Sequence, residues 1–251
     1  MFPGVGTLIN VVLVIAGGWL GLCIKKGLKA SLQEALLNAL GIASMFIGIS
    51  GAMTGLLTVE GGKLDTSGTM LMILSMVIGT FIGELLRIDE RMNSLASLVQ
   101  KKVKIKESGS QFVEGIVNMT LIMCVGAMSI MGALQDGLNN DPSLLIAKGC
   151  LDFITAMIFA STLGAGVLFA VVPMALYQGL ITLLARVIEP VLTEQMTQNL
   201  TFIGSVLIFV VGFNLLFSER KMRVANMLPA LLVPIAWELL QWLWSLLPFA
   251  A

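Results

Sequence analysis

The chain has no histidine, one tyrosine and three cysteines in 251 residues, and only 12% of it is charged. Without imidazole, the commonest metal ligand and the usual general base at neutral pH are missing, and Ser-His, Cys-His and His-metal catalysis go with them. Cys23, Cys124 and Cys150 stand singly in apolar runs with no Cys-x-x-Cys spacing, so they read as small packing residues rather than a redox pair or a disulfide framework. Fifteen basic residues balance fifteen acidic ones, and no basic cluster is interleaved with aromatics, which argues against nucleic acid as a partner. Neither a metal site nor a cofactor is expected, and the chain does not read as an enzyme. The 16 methionines read as adaptable packing rather than a soft-metal relay.

What is present is apolar. Hydrophobic residues make up 57% of the chain, above the roughly 45–50% of soluble proteins, while charge falls to half of their roughly 25%. Runs of about 20 apolar residues, long enough to cross a bilayer, lie near 4–24, 34–57, 68–86, 113–134, 144–163, 167–187, 200–217 and 227–249. The expected fold class is therefore all-α: one integral membrane domain over 1–251, a polytopic bundle of about eight transmembrane helices. The first run has no basic residues before its apolar core and Lys25, Lys26 and Lys29 after it, the reverse of a signal peptide.

Basic residues concentrate in cytoplasmic connections. Lys25, Lys26, Lys29, Arg87, Arg91, Lys101, Lys102, Lys104, Lys106, Arg220, Lys221 and Arg223 follow the first, third and seventh runs; only Lys63, Lys148 and Arg186 fall on the other side. Eight helices with both termini outside reproduce this split. Within 87–111, Ile88, Met92, Leu95, Leu98 and Val99 recur at helical spacing, which predicts an amphipathic helix on the inner leaflet, where basic side chains meet anionic lipid.

Two segments echo each other. Glu34 and Asn38 precede Gly51-Ala52-Met53, and Glu114 and Asn118 precede Gly132-Ala133-Leu134. Both pairs stand at the cytoplasmic start of a helix, where a carboxylate caps the positive end of the dipole and Ser31 with Glu34 forms a capping box. Alternatively they mark a duplicated unit with polar gates, as in transporters built from repeats.

An ionised side chain deep in a bilayer costs between about 2.5 and 17 kcal/mol, so such groups face a bundle interior or a wet cavity. Lys148 and Asp152 lie four residues apart on one helix face. With Thr155, Ser161 and Thr162 they predict a polar strip along that helix; the alternative is a neutralising pair that only lets the helix insert. Glu238 interrupts the last run among tryptophans. Pro173, Pro229 and Pro234 fall inside apolar runs, and Asn10, Asn214, Tyr177 and Gln178 add hydrogen-bonding groups at membrane depth. Small residues four apart (Gly17 and Gly21, Ser44 and Gly48, Gly51 and Gly55, Gly79 and Gly83) allow close helix contact within one chain or in the expected homo-oligomer.

The stretch from Met128 through Gln135, Asp136 and Gly137 to Asp141-Pro142-Ser143 and Lys148, with Leu151-Asp152 after it, resembles the YqgA-like membrane proteins, a bacterial family known as domain of unknown function 554. Gly6-Thr7-Leu8-Ile9-Asn10, Ile158 to Gly164, Tyr177-Gln178-Gly179 and Arg223 to Ala230 are similar as well, so the likeness covers the whole chain. It implies a membrane location and a bacterial origin, which with the runs and charges gives a multi-pass protein of the cytoplasmic membrane as the expectation, and it brings no substrate or catalytic residue. Gln135, Asp136 and Asp141 precede Lys148 and Asp152, which makes this outer connection the expected entrance for a solute or cation. The leading expectation is a transporter or channel-like permease for a small solute or ion. The alternative is a membrane scaffold or regulatory subunit acting through oligomerisation and partner binding.

Overall fold

The computed structural model describes residues 2–25, 27, 29–60, 62–94, 109–125, 127–188, 193–217 and 221–245. Its main helices are α1 (Val5–Lys25), α2 (Ala30–Leu56), α3 (Thr69–Leu86), α4 (Gly109–Cys124), α5 (Ala127–Asn139), α6 (Ser143–Leu163), α7 (Val171–Leu183), α8 (Glu194–Leu216) and α9 (Leu232–Ser245). The fold is all-α apart from a hairpin between α2 and α3, where β1 (Leu57–Glu60) pairs antiparallel with β2 (Lys63–Thr66). Glu60 opposite Lys63 leaves a two-residue glycine connection, the length a tight hairpin favours.

A backbone in hydrocarbon must satisfy its own N–H and C=O groups, so long apolar runs become helices. Among the described residues, six helices are long and apolar enough to cross a membrane: Val5–Lys25, Glu34–Leu56, Thr69–Leu86, Ser143–Leu163, Gly166–Leu183 and Glu194–Leu216. Their patterning is inverted relative to a soluble bundle. On α3, Phe81 and Leu85 are 69% and 73% exposed while Gly79 and Gly83 are buried; on α1, Leu8, Val12 and Trp19 face outward and Thr7, Asn10, Gly17 and Gly21 inward. Such a belt belongs in lipid, not water.

The run expected as one span over 113–134 is instead a broken helix. α4 and the following helix from Met128 meet at 64°, with Gly126 between them in sequence. The prolines inside the apolar runs coincide with breaks in them, the Gly166–Leu183 span being interrupted at Ala170, three residues before Pro173. Pro173 is the third residue of α7, Pro234 the third of α9, and Pro229 opens the 3-10 turn Leu228–Leu231. Each follows directly on a preceding helical turn, so its missing N–H and its ring mark a break inside the run. The last apolar run is accordingly segmented into Val224–Met227, that 3-10 turn and α9.

Small residues form the seams. A side chain at Gly17 or Gly21 would run into the backbone carbonyls of Phe153 and Met157, which sets α1 parallel to α6. Gly41, Gly48, Gly51 and Gly55 lie in turn against Leu216, Phe209, Ser205 and Phe202, so α2 and α8 are antiparallel; Gly79 and Gly83 abut Ala230 and Asn226, so α3 runs antiparallel to the last segment. These stripes are occupied by contacts within the chain.

One end gathers the basic residues. Lys221 pairs with Glu114 at 2.6 Å, Arg223 with Glu84 at 3.5 Å, and the Asp89 N–H donates to Asn226. Of the expected inner-leaflet helix, residues 88–94 are helical, with Ile88 and Met92 packed on the main core. Leu95, Leu98, Val99 and the lysines at 101, 102, 104 and 106 lie outside the described residues, and from Gly109 the chain already belongs to α4.

Candidate functional site

The interior between α1, α5, α6 and α7 holds a chain of polar side chains. α6 places Lys148 and Asp152 one turn apart, facing inward at 6% and 4% exposure, and the Lys148 Nζ donates to Asp152 Oδ2 at 2.5 Å. The Asn10 amide of α1 donates to the same oxygen at 3.1 Å and to Gln178 Oε1 of α7 at 3.3 Å. Gln178 Nε2 donates in turn to the Ser129 hydroxyl, at 3.1 Å, in the first turn of α5 beyond the helix break. Four helices thus share one network around an ion pair that is neutral as a unit. Burial is tolerable because the pair's charges cancel and its carboxylate accepts a further hydrogen bond.

The outer connection is tied to the same place. Asp136 is fully buried, and its Oδ2 accepts the N–H groups of Gly4 at 3.1 Å and Gly6 at 3.0 Å. A carboxylate on the unpaired N–H groups at the start of α1 complements that helix's dipole. Gly4 has φ of +97°, a left-handed conformation that glycine adopts without strain, as this approach requires. Nearby, Gln135 is half-buried and Asp141 exposed. Hydrogen bonds from Ser143, its side chain first and its backbone N–H second, hold the Asp141 carboxyl below the usual range.

Several expected site residues lie elsewhere. Below Asp152, the hydroxyls of Thr155, Ser161 and Thr162 donate to Leu151, Ile158 and Phe159 carbonyls of their own helix. Hydroxyls inside an apolar helix find those acceptors before any across a gap. Glu238 is half-buried, accepts from Asn199 of α8 at 3.2 Å, and lines a different cleft of about 650 Å³ with Thr54, Ser67, Gln195, Gln198 and Trp237. The two echoing pairs also have unlike surroundings. Glu34 and Asn38 are exposed, whereas Glu114 bonds Lys221 and Asn118 is buried beside a cleft of about 390 Å³ at the basic end. The capping box is absent, since α2 begins at Ala30 and no side chain caps it; Ser31 already lies within its first turn.

Two members of the network are visible in the sequence only as isolated polar residues. Asn10 and Gln178 stand out in the sequence as amides among apolar residues, but nothing in their spacing pairs them with Asp152. Ser129 gives no signal, since serine is common in membrane helices.

The apolar outward faces, the six long helices and a buried ion pair define a helical membrane protein. The chain belongs to the family described as protein of unknown function DUF554, whose model matches residues 5–239. It is 34% identical to the uncharacterized membrane protein YdfK of Bacillus subtilis (strain 168) over 229 residues, 91% of this chain and 93% of that one. It is 31% identical to the uncharacterized protein YqgA of Escherichia coli (strain K12) over 232 residues, covering 91% and 94%. No solved structure matches the chain.

Proposed function

We propose that this chain is a transporter or channel-like permease for a small solute or ion, in a bacterial cytoplasmic membrane, with Lys148 and Asp152 in or beside its path and Asp136 at the outer mouth. The observation that carries this reading is the buried Lys148–Asp152 pair, joined through Asn10 and Gln178 to Ser129 beside a helix broken by 64°. Ionisable groups inside membrane helices are rare and mark ion and solute routes. Discontinuous helices, with polar ends freed at mid-depth, are a recurrent way of building such sites.

The reading includes eight passes. It counts the broken α4–α5 unit as one and the segment from Val224 through α9 as another, with the basic end cytoplasmic and both termini outside. The seams support it: α1 runs parallel to α6, while α2 runs antiparallel to α8 and α3 to the last segment, and Lys221, Arg223, Arg87 and Arg91 lie beyond the same ends of the bundle. Self-association would have to use the outward apolar faces.

Purified protein in liposomes should take up at least one member of a panel of inorganic ions and small organic solutes, and Asp152→Asn should lower that uptake tenfold or more. No flux of any panel member by the wild type would end the proposal.

A further inference from the structure

Around the first two turns of α1, three buried oxygens have no partner: Asp136 Oδ1, Thr7 Oγ1 and Asn10 Oδ1. Their residues are 0%, 6% and 0% exposed. Thr7 and Asn10 are three apart on α1 and share a face, and Asp136 is joined to the same turns through the Gly4 and Gly6 N–H groups. Carboxylate and amide oxygens only accept, so each of Asp136 and Asn10 has a lone pair that needs a donor or a cation. A single threonine hydroxyl supplies one proton and cannot satisfy both.

The charges point the same way. Lys148 is held by Asp152, which leaves Asp136 as the second buried carboxylate of the region. The α1 N-terminus engages its Oδ2 with the equivalent of about half a charge, so Oδ1 keeps an uncompensated negative potential away from water. The donors are all hard oxygens, with no nitrogen or sulfur, which disfavours a transition metal. Three protein oxygens fall short of the roughly six to eight that Ca2+ takes, and Mg2+ keeps several waters that a dry site does not supply; among the described residues no group of three or more His, Cys, Asp or Glu could hold a metal ion.

We infer that Asp136, Thr7 and Asn10 form a site for a dehydrated monovalent alkali cation, sodium or potassium. Asn10 carries occupancy inward, because its amide nitrogen holds Asp152 and Gln178 while its oxygen is left without a partner in the chain. The inference deepens the transport reading by naming an ion class. It rests on that reading for a role in flux, though not for binding.

The test is thermal unfolding of the purified full-length chain in detergent, followed by tryptophan fluorescence, in choline chloride, sodium chloride and potassium chloride at equal ionic strength. One alkali cation should raise the midpoint saturably, by about 5 °C over choline. Half-saturation should move up at least tenfold in Asp136→Asn and in Thr7→Val; the latter leaves the Asp136 bonds to Gly4 and Gly6 in place and decides the matter if the former does not fold. Equal midpoints in all three salts overturn the site, as does an unchanged half-saturation in the variants. A saturable shift without flux in liposomes keeps the site and removes the transport reading, whereas flux without a shift does the reverse.

Discussion

Asp152→Leu alone is expected to lower stability by about 3–5 kcal/mol, whereas Lys148→Met combined with Asp152→Leu stays within about 1 kcal/mol of the wild type. The single change strands the Lys148 ammonium at 6% exposure with its carboxylate removed, and also takes an acceptor from Asn10. The double change removes both charges and leaves Asn10 its bond to Gln178. Reversible unfolding in mixed micelles measures the difference. Flux by the double variant then separates two roles that look alike in the structure. A pair that only neutralises itself so that α6 inserts is dispensable once both charges are gone, and uptake survives. A pair that contacts the transported species is not, and uptake is lost although the protein folds. Equal destabilisation by the single and double changes would mean that the ion pair is not acting as a unit.

That network also shows where sequence reasoning stops. Lys148 and Asp152 were legible as a pair because four-residue spacing on a helix fixes their face without knowledge of any other helix. The long helices were legible for a similar local reason. The runs near 4–24, 68–86 and 144–163 correspond to Val5–Lys25, Thr69–Leu86 and Ser143–Leu163 because hydrophobicity alone decides them. α8 begins earlier than its apolar run, at Glu194, because Thr193 accepts the Met196 N–H and caps a polar first turn that hydropathy cannot see. The contact of Asp136 with Gly4 and Gly6 spans 130 residues or more, and no local pattern encodes it. The break between α4 and α5 was missed because the run near 113–134 stays apolar across it, and hydropathy does not report a bend. What the sequence could not supply was partnership between helices, and the site consists of it.

Gly17→Val and Gly21→Val are each expected to destabilise by about 3 kcal/mol, at the upper end of overpacking costs, while Gly179→Ala should be neutral or stabilising by about 0.5–1 kcal/mol. The contrast follows from what a new side chain would meet. At Gly17 and Gly21 it lands on the backbone carbonyls of Phe153 and Met157, which cannot rotate away as a side chain could, so α1 must separate from α6. At Gly179, in α7, nothing lies within 4 Å, and only the helix propensity of alanine is felt. Displacing α1 also moves Asn10 and Thr7, which lie on the same helix, away from Asp152 and Asp136 on the elements around them. Uptake should therefore fall in the Gly17 and Gly21 variants even where enough folded protein is recovered, and should persist in Gly179→Ala. Midpoints and uptake measured on the same preparations provide the check. Full uptake by a folded Gly21→Val variant would mean that the α1–α6 seam serves stability alone and does not position the network.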